Sequence, residues 1–370
     1  MASPNLPRTA RKALLWGLAT FLALQLGLVV AIDNWVPSFR DPWYGPKVGR
    51  LQRRLGNSWP AEQQTGQAKL VLMFGSSFTG NGLNGAQLEA RLTQELGGRF
   101  IVYNFGVPGA GPLVEMINFE RLLAAGIRPD LVLIEVFPPW LSGEGSAESY
   151  RLPPERLEFK DIGRLEKCHY GVEELRRDFW ESWVIPCYAH RYGILNTLLP
   201  TFLPGPIRQD WGWGCDNWGW RPAPQPLAES RQWVLDTIRR GFQPALRNFR
   251  LGGPPCEAIQ QVLQDCHREH VLSALILMPE AAPFRSWYPR TAWEQIDAFL
   301  DVQQREHGTA IINARQWVPD EEFTDYHHMM IRGANLFTGQ LGQELVRLLR
   351  DAGGSGERGS EEEAQARDNP

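Results

Sequence analysis

Five short runs of apolar residues punctuate the chain, at 70–74, 100–105, 131–137, 272–278 and 310–314. Each is nearly continuous rather than alternating, the pattern of a strand buried on both faces. Between or after them, apolar positions recur every three or four residues at 83–96, 113–125, 256–270, 292–307 and 334–352. That spacing puts one stripe of each segment on a common helical face. Strands alternating with helices predict an α/β fold, three-layer α/β/α, around a five-stranded parallel sheet. Right-handed crossovers then align the carboxyl ends of all the strands along one edge, where open sheets bind ligands.

Two stretches break the rhythm. Residues 13–32, ALLWGLATFLALQLGLVVAI, carry no charge and are long enough as a helix to cross about 30 Å of hydrocarbon. A buried core helix or a cleaved signal peptide, with Val29 and Ala31 small enough for its cleavage site, are the competing readings of this stretch. Arg11 and Lys12 abut one end and Asp33 the other, which orients the amino terminus toward the cytoplasm, although Arg40, Lys47 and Arg50 nearly balance the count. The second break, about 140–255, is rich in Trp and Pro and includes Trp180, Trp183, Trp211, Trp213, Trp218 and Trp220. It reads as a large insertion: a small hydrophobic subcore, or an aromatic surface on which sugars stack. Helical periodicity returns at 226–249. The expected organisation is a cytoplasmic tail at 1–12, a transmembrane anchor at 13–32, a juxtamembrane connector at 33–67 and the main α/β domain, with its insertion, at 68–352. A polar, disordered tail at 353–370 completes it. Within the connector, 48–55 suits a short helix, and Trp35, Trp43 and Tyr44 suit a membrane interface.

With 38 basic and 42 acidic residues spread along the chain, for a net charge of -4, no basic groove for nucleic acid is expected. The five cysteines, Cys168, Cys187, Cys215, Cys256 and Cys266, show no spacing of a zinc site, and neither metal nor cofactor is expected. In an oxidising compartment one or two disulfides could brace the insertion.

The candidate chemistry lies at the sheet's carboxyl edge. The first apolar run ends in Gly75-Ser76-Ser77, and the last is followed by Asp325-Tyr-His-His328 before the final helix. A serine hydroxyl becomes a useful nucleophile when an imidazole takes its proton and a carboxylate orients that imidazole. Ser77, His328 and Asp325 are the residue types for this task, and Asp and His three apart can face one way in a turn. Glycine and serine after a strand are also ordinary turn residues, so the first segment alone does not establish catalysis.

Taken together, these segments resemble the SGNH, or GDSL-like, hydrolase family over roughly 68–137 and 272–350. Gly75-Ser76-Ser77 stands at the family's first block, Asn104-Phe-Gly-Val-Pro-Gly109 at its second and Asp325-Tyr-His-His328 at its last. The resemblance implies a triad of Ser77, His328 and Asp325, with Ser77 and Gly109 binding the oxyanion. Ser76 replaces the first block's aspartate, as in membrane-anchored relatives similar to alginate and teichoic-acid acylation proteins. The third block's asparagine is missing from Ile134-Glu-Val-Phe-Pro-Pro-Trp140; Asn81 is the candidate substitute. His327 is an alternative base if the last block is shifted by one. Glu135 reads either as a cleft carboxylate or as a solvated strand end. Arg285 and Tyr288, near Glu280 and Trp287 after the fourth run, are candidate substrate contacts, with a structural salt bridge as the competing reading.

The resulting expectation is a membrane-anchored, extracytoplasmic serine esterase or acyl-transfer enzyme. Its substrate would be an ester-linked acyl group, with acetyl on a cell-envelope polysaccharide the specific expectation. The alternative is a catalytically inactive glycan-binding or scaffold protein of the same fold.

Overall fold

The computed structural model describes residues 8–142, 152–204, 208, 214–225 and 228–367. By internal packing the chain divides into two units. One comprises Met1–Pro46, Leu152–Glu166 and Gly171–Trp213; the other comprises Lys47–Arg151, Lys167–Tyr170 and Gly214–Pro370.

The larger unit is α/β. Strands β1 (Ala68–Gly75), β2 (Arg99–Gly106), β3 (Leu131–Glu135), β4 (Leu272–Leu277) and β5 (Ala310–Asn313) coincide with the five apolar runs. They form one sheet in the order β2-β1-β3-β4-β5, with every pairing parallel. Leu72 lies opposite both Tyr103 and Val132, and all three side chains are fully buried. Because β2 and β3 flank β1 on opposite sides, the chain reverses its direction of travel at β1. Such a switch point opens a crevice beyond the strand ends.

Helices Gly85–Leu96 and Ile331–Arg367 pack together, as do Pro112–Ala124 and Pro254–Arg268. Gly85–Leu96 starts where the Asn84 side chain accepts from Gln87 N and stops at Gly97, whose φ of 71° suits glycine. It buries Leu88 and Leu92, while its partner buries Phe337, Leu341 and Leu345. Each such side chain stabilises the fold by about 1.5–3 kcal/mol relative to exposure. The final helix continues in backbone to Arg367, past the expected end at 352. The run Glu361-Glu-Glu-Ala-Gln-Ala-Arg367 consists of good helix formers, although it offers no apolar stripe.

The smaller unit contains the apolar helix Arg8–Asn34. Its stretch from Thr9 to Asn34 is long and apolar enough to cross a membrane. This unit also holds helices that periodicity did not single out, among them Phe159–Lys167 up to Glu166, Glu173–Val184, Pro186–Ala189 and Arg191–Leu198. Phe159, Phe179, Trp180 and Trp183 contact one another edge-on or tilted, with ring centroids 5.7–6.4 Å apart. Trp211 and Trp213 lie outside the described residues. In the connector, Tyr44–Leu55 is helical, and Tyr44 is buried rather than free to face a membrane. No disulfide joins the five cysteines; Cys168, Cys215, Cys256 and Cys266 are buried and Cys187 is exposed.

Candidate active site

β1 ends at Gly75, and Ser76 caps the short helix Ser77–Gly82 by accepting from Phe78 N. Ser77 is therefore the first helical residue, at the switch point of the sheet. Its Oγ lies 2.7 Å from His328 Nε2, and His328 Nδ1 lies 2.7 Å from Asp325 Oδ2. An acceptor at Nδ1 fixes the proton there and leaves Nε2 free to accept the Ser77 hydroxyl. The remaining Asp325 oxygen accepts from the amides of His327, at 2.9 Å, and His328, at 2.7 Å. Burial opposes ionisation of Asp325, but the two histidines and these hydrogen bonds outweigh it and hold the carboxyl well below its ordinary range. The loop is closed by Thr324 N donating to His328 O at 2.9 Å.

Beneath the Ser76–Thr79 turn lies Glu135, fully buried at the end of β3. Oε1 accepts from Ser76 Oγ at 2.5 Å. Oε2 accepts from Ser76 N at 3.1 Å, Thr79 N at 3.0 Å and Thr79 Oγ1 at 2.6 Å. Burial pushes its pKa up, and these four donors pull against that rise. Gly75 makes the arrangement possible, because a Cβ there would collide with Glu135 and Thr79. Sequence reasoning did not choose between a cleft and a solvated role for Glu135; it is neither. Its only sequence signal is a charge closing an otherwise apolar strand.

Asn104, at the end of β2, grips the same turn. Its amide donates to Thr79 O at 2.7 Å and Leu83 O at 2.9 Å, while its Oδ1 accepts from Gly106 N. Lys47 is buried and donates to the carbonyls of Asn104, at 2.8 Å, and Gly219, at 3.0 Å. Desolvation lowers its pKa to about 8. The segment 214–225 completes the clasp. Arg221 N donates to Gly80 O, and Trp220 Nε1 donates to Asn81 O at 2.7 Å. Trp218 and Trp220, expected as insertion packing or a sugar platform, thus belong to the support of the Ser77 turn.

The amides of the short helix can be assigned in turn. Phe78 N goes to Ser76 Oγ, Thr79 N to Glu135 and Gly80 N to Ser76 O. Ser77, as the first residue of that helix, carries a first-turn N–H that the helix's own ladder does not use. Gly109, the other expected oxyanion donor, is buried in the left-handed region at φ 70°.

The other expected contacts are engaged elsewhere. Asn81, the candidate substitute for the missing asparagine, is buried, and its amide donates one hydrogen to Arg221 O at 2.6 Å. Arg285 Nη1 donates to the carbonyls of Glu280 and Arg315. Tyr288 is buried and donates to Glu280 Oε1 at 2.7 Å. Arg285 and Tyr288 are internal braces rather than a substrate clamp, because Glu280 is itself buried and pairs with Arg315 at 2.7 Å. His327, the alternative base, is buried among Phe78, Phe242 and Phe284, with ring centroids 4.3–5.5 Å away. Desolvation lowers its pKa to about 3. Ligand atoms of Asp325, His327 and His328 lie within 4.8 Å of one another, but both His328 nitrogens and the Asp325 oxygens are committed to the contacts above.

Residues 49–151 match a family described as a protein of unknown function, DUF1574. No curated protein matches the chain. Among solved structures, similarity extends to a protein from Desulfitobacterium hafniense described as lipolytic and of the G-D-S-L family, at 10% identity and a TM-score of 0.35. That match covers 74% of this chain and 98% of the other. A variant of the esterase AlinE4 is 15% identical with a TM-score of 0.31, covering 78% and 96%. An α/β hydrolase from the metagenome of Lake Arreo is 11% identical with a TM-score of 0.29, covering 75% and 94%. In its own strand order the larger unit is an α/β fold around a five-stranded parallel sheet, with a serine after β1, a glycine turn after β2 and Asp-x-x-His after β5.

Proposed function

We propose that the protein is a membrane-anchored serine esterase or acyl-transfer enzyme. The observation that carries this reading is the continuous hydrogen-bond chain from Ser77 Oγ through the His328 ring to Asp325, each link 2.7 Å. His328 Nε2 takes the hydroxyl proton as Ser77 Oγ attacks the ester carbonyl. Ser77 N–H and Gly109 N–H are the proposed oxyanion donors. Collapse of the tetrahedral intermediate expels the alcohol, which His328 protonates, and leaves the acyl group on Ser77. A second nucleophile, water in hydrolysis or a sugar hydroxyl in transfer, then gives its proton to His328 and releases the enzyme. Asp325 stays ionised throughout and stabilises the charged imidazole.

The apolar helix Arg8–Asn34 supports a single-pass anchor, with residues 1–12 cytoplasmic and the catalytic unit on the outer side. An acetyl ester of a cell-envelope glycan is the proposed substrate. The intact Ser-His-Asp chain favours turnover over the non-catalytic binding alternative.

Full-length protein in detergent micelles is expected to react with a fluorophosphonate serine probe, and Ser77→Ala to abolish the labelling. Undiminished labelling of Ser77→Ala would remove Ser77 as nucleophile. Incubation with an acetyl-ester donor and an oligosaccharide, read by mass spectrometry, separates acetate release from a mass gain on the sugar.

A further inference from the structure

We infer that the helical insertion of the smaller unit is a second membrane element, lodged in the lipid leaflet around the carboxyl-terminal half of the anchor helix. The inference rests on the reading of Arg8–Asn34 as membrane-spanning, and its depth comes from one polar pair. Gln25 is the amide-bearing residue within the uncharged stretch. Its Oε1 accepts from Cys187 N and its Nε2 donates to Cys187 Sγ, both at 3.3 Å. Gln25 precedes Asp33, the first charge after the stretch, by eight residues. At about 1.5 Å per residue, the Pro186–Ala189 turn sits roughly 12 Å inward from that charge. Half the hydrocarbon thickness is about 15 Å, so the turn lies at acyl-chain depth. This also explains how Gln25 is tolerated in the span: its amide is satisfied by protein, as apolar surroundings demand.

The side chains follow the same layering. At the level of Asp33, Arg40 pairs with Asp33 and lies 3.5 Å from Glu158, a polar belt suited to headgroups. One face of the anchor helix, Gln25, Leu28, Val29 and Ile32, is at least partly covered, whereas Leu14, Trp16, Leu22 and Leu24 are exposed. The insertion in turn exposes Trp180, Val184, Ile185, Tyr188 and Phe202, with Val184 71% and Phe202 76% accessible. Single exposed apolar residues are ordinary, but a cluster within one short segment marks an interaction surface. Arg191 stacks over Tyr188 and Tyr192 at 4.0 and 4.3 Å, and a stem and charge arranged so can reach from acyl chains toward phosphates. Continuity with the spanning helix selects lipid as the occupant.

The test places an environment-sensitive NBD label on full-length Ile185→Cys, in a Cys187→Ser background, reconstituted in phosphatidylcholine vesicles. Tyr188→Cys provides a second site should the first fold poorly; Leu18→Cys in the anchor and Arg347→Cys in the larger unit are references. Labels at 185 and 188 are expected to emit blue-shifted light, to lose intensity with doxyl-labelled lipid and to resist iodide. Label at 18 should behave likewise but deeper, and label at 347 oppositely. Iodide quenching at 185 and 188 with lipid quenching at 18 would overturn the inference while leaving the anchor intact. Blue-shifted emission untouched by either quencher would overturn it in favour of a protein partner. Iodide quenching at 18 would remove the anchor, and the inference with it.

Discussion

Two buried glutamates at the carboxyl edge of neighbouring strands do different work. Glu280, just after β4, is paired with the guanidinium of Arg315 and accepts from Tyr288; Arg315 in turn lies 3.6 Å over the Trp293 ring. Glu135, at the end of β3, has four neutral donors, all from Ser76 and Thr79. Burial raises the pKa of both carboxyls. A cation compensates Glu280 locally, so that ion pair can brace the scaffold without regard to where Ser77 points. The satisfaction of Glu135 depends on the two residues flanking Ser77 and Phe78 keeping one orientation, so its desolvation cost is coupled to the geometry of the Ser77 hydroxyl.

The comparison presupposes that Ser77 is the reacting group. Ser77→Ala should lower acetyl-ester turnover at least about 10^3-fold with an unchanged melting temperature; comparable turnover would dissolve the contrast altogether. Next in size, Glu280→Leu leaves Arg315 buried without its counter-charge and should cost about 3 kcal/mol of stability, seen as a lower melting temperature. The kcat of the folded fraction should stay within about twofold of wild type. A hundredfold loss of kcat would mean that Glu280 also serves the site. Glu135→Gln keeps the shape but turns an NH2 group toward donors, tilting the turn. A displacement on the ångström scale should reduce kcat about 10^2-fold with KM steady, and equal losses from Glu135→Gln and Glu280→Leu would erase the distinction drawn here.

The smallest effect concerns His327, a buried group outside both networks. Its folded pKa is about 3, against 6.5 for the free side chain, so between those values the unfolded chain binds more protons than the folded one. Its contribution to stability is therefore lost as pH falls from about 6.5 to about 3. Melting temperatures of wild type and His327→Phe, compared at pH 7 and pH 4, should show the larger acid drop in wild type. Equal drops would indicate that His327 is already charged in the folded protein.

The sheet was readable because doubly buried strands leave unbroken apolar runs: β2 was expected at 100–105 and is observed at Arg99–Gly106. The segments that meet at Ser77 and His328 were readable for a related reason, since each directly follows or closely trails such a run. Glu135 was not, because a terminal carboxylate looks the same whether water or a folded turn receives it. Arg285 and Tyr288 stayed open between substrate contact and structural brace, because being polar and near the functional edge does not reveal that Glu280 is buried between them and Arg315. The short helices between Phe159 and Leu198 were not legible because none exceeds twelve residues, too short a window for a periodic stripe to stand out.

Gly75 and Glu135 carry a consequence for how this chain can vary. Even one methyl group at position 75 would meet the Glu135 carboxylate and the Thr79 hydroxyl, while shortening residue 135 alone would strand the donors around it. Neither position is free to drift by itself. Substitutions there should be tolerated only in concert, so that across descendants of this sequence the two sites are expected to change together or not at all.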